Sequence, residues 1–313
     1  MSLSFKRSSR SDRMKVLSVF LCTFFIFITG TCFSQEEVAK KSKKKKSKFQ
    51  TGLYLGSYFS NKHTAALYDG YGYDIDGKKN NFYSSFMYRR IILELGKMNG
   101  QTDYVAQALG VGPGEYSFDQ TDMPLNMKYS PAVMVGINMN YAVTKKDALL
   151  LDVNASKLNL TGNFTIVITT PPIGPQPPGY QNIQAFGITG GEQRLILHAG
   201  YRRILGDDEA FNCFLEIGPT LNMTKYLRNQ AAINTLHVDL ASFYYQSYYP
   251  TFNAPYLKGI GLGAFAGFGV NITANANWNL QLLYSPSYEK INIGEAPKLS
   301  LHHSLGLRAF YTL

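Results

Sequence analysis

The segment "GIGLGAFAGFGVNI", from Gly259 to Ile272, alternates between two kinds of side chain along its whole length. Its second face is mostly glycine, whereas the first is apolar and carries Ile260, Leu262, Ala264, Ala266, Phe268 and Val270. A repeat of two residues indicates a β-strand, because successive side chains of a strand point to opposite faces. The segment is much longer than the usual strand of about five or six residues, so it predicts an unusual β-protein.

Two further segments, "NMKYSPAVMVGINMNYAV" (126–143) and "KLSLHHSLGLRAFYTL" (298–313), show the same alternation. Their polar faces combine glycine, asparagine and serine with isolated charges, which suits the inside of a narrow, filled barrel. A strand that crosses a membrane in a barrel needs about 9–11 residues, with apolar side chains outward. The pattern therefore favours a membrane barrel, and a soluble β-sandwich with the apolar face inward remains the alternative.

Long alternating segments of this kind recur through the body of the chain, and we place eight strands at 49–60, 126–143, 148–168, 192–205, 211–230, 257–274, 278–291 and 299–313. The connections alternate between short turns at 144–148, 206–210 and 275–279 and longer loops at 61–125, 169–191, 231–256 and 292–298. Short periplasmic turns and long external loops are the rule for outer-membrane barrels. We therefore predict an all-β fold, an antiparallel up-and-down transmembrane β-barrel of about eight strands.

The first long loop, 61–125, contains "NFYSSFMYRRIILELGKM" (81–98), whose apolar residues have a spacing that allows a short helix. The loop is therefore expected to be partly helical and to lie outside the cell. An even number of strands places both ends of the barrel in the periplasm. We assign residues 49–313 to the barrel domain.

The front of the chain has the order of a secretory signal. Basic residues precede the apolar run from Val16 to Ile28, and the small-residue sequence "TGTCFSQ" follows it. The run is too short for a membrane helix, which needs about 20 residues. We expect a signal peptide at 1–34 with cleavage after Ser34, and Met14 is an alternative start. A lipoprotein acylated at Cys32 is the other possibility, although Thr29 stands where leucine is expected.

The charge of the chain is concentrated before the barrel. Residues 1–48 hold 12 of the 31 basic and 3 of the 21 acidic residues, so the remainder is almost neutral despite the net charge of +10. A nucleic-acid-binding domain would carry its basic surface on the folded body, so we expect no nucleic-acid partner. The lysine run at 40–48 belongs to a basic, disordered periplasmic tail at 35–48, a plain linker or a contact to anionic lipid.

Charged residues at inward positions form the candidate site. Arg202 and Glu216 face each other across the predicted hairpin turn near residue 208, and an interior network is extended by His198, Asp152, Lys128, Arg194 and Arg308. The structural interpretation is a polar plug inside a narrow barrel. The functional alternative is a path for protons or solutes.

Other chemistry is weakly supported. His302 and Ser304 point inward and suggest a lipid-hydrolase hypothesis, but His303 points outward and no acidic partner is nearby. Asp69, Asp74 and Asp76 lack the full spacing of a calcium loop. Cys213 is the only cysteine after the signal, which excludes an internal disulfide and a cysteine zinc site in the mature chain. We predict no catalytic residue, no metal and no cofactor.

With its export signal, its "SQ" junction, its alternating strands and its last strand "LGLRAFYTL", the chain resembles the small eight-stranded outer-membrane β-barrel proteins of Gram-negative bacteria. More narrowly, it is similar to the porin-family barrels of the Bacteroidota. The resemblance covers residues 49–313, and the chain departs from it by ending in Leu313 rather than phenylalanine.

The resemblance implies residence in the cell outer membrane, contact with outer-membrane lipids and recognition by the barrel-assembly machinery. An extracellular protein partner is suggested by the tyrosine-rich loop at 231–256, and an acidic periplasmic partner is a further possibility for the lysine tail. With eight strands the interior is just wide enough for side chains, so we expect a filled lumen and a structural or interaction role through the loops. A small pore or transporter is the alternative, and a lipid-directed barrel enzyme is the third hypothesis.

Overall fold

The computed structural model describes residues 48–73, 78–97, 102–170, 174–175, 177, 179–208, 210–241, 258–275, 277–293 and 299–312. They belong to one compact unit, Ser47–Leu313. The predicted signal peptide and all of the basic tail except Lys48 lie outside the described residues. In the part that is described, no helix is both long and apolar enough to cross a membrane.

The described strands are β1 (Phe49–Phe59), β2 (Tyr116–Ser117), β3 (Lys128–Tyr129), β4 (Ala132–Ala142), β5 (Asp147–Ile168), β6 (Asn182–Leu205), β7 (Phe211–Ile233), β8 (Leu236–Asp239), β9 (Lys258–Thr273), β10 (Trp278–Lys290) and β11 (Leu299–Thr312). Eight of them are long and form a closed ring in the order β1, β4, β5, β6, β7, β9, β10, β11. β11 pairs antiparallel with β1, with Thr312 opposite Gln50, and so closes the sheet on itself. This confirms the prediction of an all-β, eight-stranded, antiparallel up-and-down barrel.

Two strand boundaries differ from the prediction. β6 begins at Asn182 rather than near residue 192, and the predicted strand at 126–143 is divided into β3 and β4. The first half of β6 contains Gly187, Gly190 and Gly191, so the sequence shows little alternation there, although even-numbered residues face inward along the whole strand. The second strand is interrupted at Pro131, which has no N–H for the sheet ladder.

The outer surface of the ring is apolar, which reverses the pattern of a soluble β-protein. Large apolar side chains with exposed fractions of 37% to 68% line it, among them Leu53, Val133, Ile137, Leu149, Ile217, Leu262, Leu282 and Leu305. Exposed aromatic residues gather near the short turns: Phe49, Tyr141, Tyr201, Phe211, Trp278 and Tyr311. We call this surface the apolar belt, and the end that carries the three short turns the short-turn end.

The glycine face of β9 points inward, as its sequence indicated. A Cβ atom added to Gly261 would lie 1.6 Å from the backbone oxygen of Lys290, so a larger residue does not fit there. Gly263 likewise packs against the backbone of Tyr288 and Glu289 on β10. These glycines allow β9 and β10 to approach closely while polar side chains fill the interior.

The long first loop folds over the other end of the barrel, and we call its described parts between residues 61 and 127 the cap. It contains 3-10 helices at Lys62–Tyr68 and Gln120–Asp122, an α-helical turn at Phe86–Tyr88 that continues as a π-helix at Arg89–Glu94, and an α-helix at Tyr104–Leu109. The partly helical loop was therefore predicted correctly.

The cap has an apolar core of its own, built with the far ends of the longest strands. Met87, Ile91 and Val105 of the cap are 0% exposed and belong to one buried cluster with Phe164 of β5 and Ile188 of β6. β5, β6 and β7 extend well past the apolar belt to form the wall against which the cap packs. Residues inside this end of the barrel are therefore apolar, whereas those at the level of the belt are polar.

Candidate functional site

Four charged residues meet inside the barrel at the level of the belt. Arg202 on β6 lies 2.7 Å from Glu216 on β7, and the two residues are direct partners in the sheet register. Arg308 on β11 lies 2.7 Å from the same Glu216 oxygen and 2.5 Å from Asp152 on β5. The four residues form three ion pairs, two of which share Arg308, and we call them the lower cluster.

The side chains of the lower cluster are buried. The side chains of Arg202 and Arg308 are 2% exposed, and those of Glu216 and Asp152 are 0% exposed. The Arg202 guanidinium also lies over the Phe214 ring, with its central carbon 4.9 Å from the ring centre. Equal numbers of positive and negative groups leave no net charge, which is the condition for burying ions at moderate cost.

His198 lies beside the lower cluster on β6. It is opposite Asp152 in the register, and its ring stacks on Phe265 of β9 with centroids 4.2 Å apart. The ring is 5% exposed. An imidazole packed on an aromatic ring in this way fills the interior rather than reaching solvent.

A second group of polar residues lies closer to the cap, and we call Tyr58, Glu192, Arg194 and Glu289 the upper cluster. Arg194 donates through Nε to Glu192 Oε1 at 2.7 Å and through Nη1 to the Tyr58 hydroxyl at 3.0 Å. Glu289 accepts hydrogen bonds from Tyr58 at 3.3 Å and from the amide of Asn222 at 2.8 Å. Glu192, Arg194 and Glu289 are all 0% exposed.

The upper cluster also connects the barrel to the cap. The hydroxyls of Tyr68 and Tyr129 each donate to Glu192 Oε2 at 3.0 Å. Arg194 donates through Nη2 to the Thr64 hydroxyl at 3.1 Å. One buried ion pair thus holds the first turn of the cap against the barrel interior.

Six of the seven predicted interior residues lie inside the barrel: Arg202, Glu216, His198, Asp152, Arg194 and Arg308. The prediction is wrong for Lys128, which is exposed on the outer surface of β3. The interruption at Pro131 uncouples β3 from the alternation of β4, so the neighbouring Met127 is the buried residue instead.

Sequence reasoning missed Glu192, Glu289 and Tyr58. Glu289 shares the inward face of β10 with Gln281, Ser285 and Ser287, so its alternation would have identified it. Tyr58 lies on the inward face of β1 together with Tyr54, so the alternation of that strand would have identified it too. Glu192 shares the inward face of β6 with Arg194 and His198, so the alternation of that strand would have identified it as well.

The residues of the hydrolase hypothesis do not form a serine–histidine pair at Ser304. The Ser304 hydroxyl donates to the backbone oxygen of Ser285 at 3.2 Å, whereas His302 Nε2 lies 2.9 Å from the Ser300 hydroxyl. Ser300 and His302 are 3% and 0% exposed. His303 faces outward and its Nδ1 contacts the Tyr284 hydroxyl at 2.6 Å.

Acidic loop residues give no metal cluster where the structure describes them. Asp69 forms an ion pair with Lys79 at 2.5 Å, and burial raises its carboxyl pKa above the usual range despite that lysine. Asp74 and Asp76 lie outside the described residues. Among the described residues, no group of three or more histidine, cysteine, aspartate or glutamate side chains is arranged to hold a metal ion.

A polar cavity of about 160 Å³ opens at the short-turn end. Arg202 contributes to its lining, and side-chain amides supply most of the other polar groups: Gln50, Asn140, Asn271, Asn279 and Gln281. The cavity reaches the lower cluster, whose other charged members do not line it. At the other end, the upper cluster and the cap core fill the barrel.

Asp147 organises the turn between β4 and β5. It accepts hydrogen bonds from the Thr144 hydroxyl at 2.6 Å, from the Tyr201 hydroxyl and from Arg203 at 2.6 Å. These bonds favour the carboxylate and lower the pKa of Asp147 to about 2. The group lies before the first residue of the apolar belt on β5, so water reaches it.

The lowered pKa of Asp147 predicts a stability difference that depends on pH. An unfolded aspartate has a pKa of about 3.9, so the folded-state bonds contribute fully above that pH and are lost as the pH falls through about 2. We expect Asp147→Asn to lower the urea midpoint at pH 7 and to match the wild type near pH 2. A midpoint difference that is the same at both pH values would contradict this assignment.

No family model matches the chain, and no curated protein matches it. Among solved structures, it is similar to Neisserial surface protein A, with 9% identity over 86% of this chain and 100% of that chain, and a TM-score of 0.37. It is also similar to the outer membrane protein OprG from Pseudomonas aeruginosa, with 9% identity, 86% and 98% coverage, and a TM-score of 0.36. A third is Ail, the attachment invasion locus protein of Yersinia pestis, with 8% identity, 84% and 98% coverage, and a TM-score of 0.32.

Proposed function

We propose that the chain is an integral barrel of the bacterial outer membrane. The observation that carries the proposal is the reversed polarity of the ring, with an apolar belt outside and buried ion pairs inside. Hydrocarbon tolerates spanning strands only in a closed barrel, because every backbone group is then bonded. A water-exposed barrel would leave this large apolar surface unprotected.

In this assignment, residues 1–34 direct export and are removed. The short turns and both ends of the barrel face the periplasm, and the cap faces the exterior, which is the usual arrangement of short and long connections. The aromatic residues near the short turns then lie at the membrane interface, where Tyr and Trp are enriched. A Bacteroidota porin-family origin would be compatible with the same arrangement.

The role we propose is structural or interactive rather than conductive. The lower cluster, His198 and the upper cluster fill the lumen, and the cap core lies above them. The exposed surface of the cap is then the part that an extracellular partner can reach. Outer-membrane lipids and the barrel-assembly machinery are the other partners in this proposal, and no catalytic group is required.

The test of membrane residence is the behaviour of the purified chain in lipid. We expect unheated samples folded in phosphatidylcholine vesicles to migrate differently on gels from boiled samples, and cell fractionation to find the protein in the outer membrane. Stable, soluble monomers in the absence of detergent or lipid would overturn the proposal in favour of a β-sandwich-like soluble protein.

The sealed lumen predicts that the folded protein conducts no steady ion current in a planar bilayer. The reason is that the two charged clusters leave no open polar path between the ends of the barrel. A conducting porin measured in the same membrane serves as the positive control. Regular, sizeable conductance steps from the wild-type chain would favour the small pore or transporter, for which the cavity at the short-turn end would be the entrance.

A lipid-directed enzyme is tested by lipid turnover. Purified barrel is incubated with phospholipid vesicles, and released fatty acid is measured for the wild type and for His302→Ala. We expect no release from either protein. Release that depends on His302 would establish the enzyme and overturn the interaction role.

A further inference from the structure

Exposed lysines form a row where the apolar belt ends on the cap side. Lys225 on β7 and Lys258 on β9 are direct partners in the sheet register, and Lys157 on β5 occupies the same lateral row through Gln193 of β6. All three lysines are exposed. We call Lys157, Lys225 and Lys258 the basic row.

More exposed cations lie a few residues above or below the row. Lys290 on β10 and Arg228 on β7 are exposed, and so is Lys128, the residue that the sequence had placed inside. No acidic residue of the described part of the chain forms an ion pair with any of these six. The loop at 242–257, which precedes Lys258, contains no aspartate or glutamate in its sequence, and the loop at 294–298 after Lys290 contains one, Glu295.

Two cations at the short-turn end, by contrast, have carboxylate partners. Arg203 lies 2.6 Å from Asp147, and Lys146 lies 2.6 Å from Asp207. The basic row therefore lacks the carboxylate partners that Arg203 and Lys146 have, and two of its lysines are set directly opposite one another, unlike the exposed Lys48 and Lys145 of the short-turn end.

The uncompensated arrangement has a cost for the folded barrel. Like charges directly opposite each other on neighbouring strands are destabilising, and neighbouring strands lie about 4.8 Å apart. Lys225 and Lys258 are such a pair. An anion held between their ammonium groups would remove the repulsion.

The position of the row identifies the source of the anion. Lys157 follows Asp147 by ten residues on β5, and ten residues of a tilted strand rise about 25 Å, the height of the apolar band of a membrane barrel. Lysine stems of this kind lie along apolar surface while their ammonium groups reach the polar interface. The row is thus at the depth of lipid headgroups in the leaflet next to the cap.

We propose that the basic row binds phosphate-bearing anionic lipid headgroups of the outer leaflet. This proposal rests on the membrane assignment above. One headgroup phosphate between Lys225 and Lys258 receives charge-assisted hydrogen bonds from both. Lys157, Arg228 and Lys290 extend the contact to neighbouring lipids, so the barrel carries a partial ring of bound anionic lipid.

The test uses the full mature chain in neutral detergent micelles, titrated with phosphatidylglycerol and, separately, with phosphatidylcholine, with bound lipid counted by native mass spectrometry. Each basic side chain at an anionic surface contributes about fivefold. We expect the double variant Lys225→Gln, Lys258→Gln to bind phosphatidylglycerol about 25-fold more weakly and phosphatidylcholine unchanged. Higher salt should reduce the wild-type preference.

Two matched variants separate charge from position. Lys225→Arg, Lys258→Arg keeps the charge and should keep the binding. Lys48→Gln, Lys145→Gln removes the same charge from exposed residues at the short-turn end and should also leave binding unchanged. A glutamine double variant that binds phosphatidylglycerol like the wild type would overturn the proposal.

The stability of the barrel is a second measurement, and it tests the repulsion between Lys225 and Lys258 directly. In pure phosphatidylcholine the glutamine double variant should be at least as stable as the wild type, because the lysine repulsion is gone; a clear loss of stability there would contradict the repulsion. All variants are first shown to have heat-modifiable mobility in phosphatidylcholine. A wild-type chain that lacks such mobility would refute the membrane assignment itself. Equal phosphatidylglycerol binding by the wild type and the glutamine double variant would refute only this inference.

Discussion

Replacing Arg308 with methionine is expected to lower the free energy of unfolding by about 3–5 kcal/mol, the usual cost of removing one partner from a buried ion pair. Arg308 is the only residue of the described chain that pairs with Asp152, and it shares Glu216 with Arg202. Methionine has a similar length but no charge. Asp152 would then be an unpaired carboxylate in an enclosed interior.

Unfolding by urea in phosphatidylcholine vesicles measures this effect. The chain has one tryptophan, Trp278, which lies on the apolar belt, so its fluorescence follows the loss of the barrel. Adding Asp152→Asn to Arg308→Met should restore part of the lost stability, because the stranded charge is removed. Lys146→Met, which breaks an exposed ion pair with Asp207, is the control and should leave the midpoint unchanged. An Arg308→Met midpoint equal to that of the wild type would show that the lower cluster is hydrated rather than sealed.

Replacing Arg194 with methionine is expected to release the cap while the barrel stays folded. The substitution removes the Arg194 bonds to Glu192, Tyr58 and Thr64 and leaves Glu192 buried without a cation. The cost, again about 3–5 kcal/mol, falls where the cap meets the barrel. Local opening of the cap is a cheaper response than loss of the whole ring.

Limited proteolysis of vesicle-bound protein detects the released cap. Residues 78–97 contain the trypsin sites Lys79, Arg89 and Arg90. We expect Arg194→Met to be cleaved there at least tenfold faster than the wild type, which corresponds to opening made easier by roughly 1.4 kcal/mol or more. Heat-modifiable mobility should persist. Lys62→Met, an exposed change in the same loop, is the control. Equal cleavage rates for all three proteins would show that the cap is held by its apolar core alone.

The alternation along β9 and the pair Arg202–Glu216 show what the sequence could predict. A strand that separates two different environments must alternate strictly, so its pattern is long and regular. Across a hairpin with a short turn, the register follows from counting, and Arg202 is indeed opposite Glu216. Both predictions use only neighbours in sequence.

The failures have a different origin. A proline before β4 changes the parity between β3 and β4, which misplaced Lys128. Glu192 keeps the inward parity of Arg194 on β6 and was overlooked rather than hidden. The cap core joins Met87 to Ile188, residues far apart in sequence, and no local pattern predicts such a contact. Alternation therefore predicted the ring well, and the contents of its cap end poorly.

The bonds of Arg308 have a consequence for the order of assembly. Arg308 lies on the last strand, 156 residues after Asp152 and 92 after Glu216, so these buried bonds form only when β11 has reached the other strands. A hairpin that entered the hydrocarbon earlier would carry Asp152 without a counter-ion, at a cost of several kcal/mol. Insertion of single hairpins one after another is thus disfavoured. The chain is expected to enter lipid as a nearly closed ring, in which Arg308 of the last strand already neutralises Asp152.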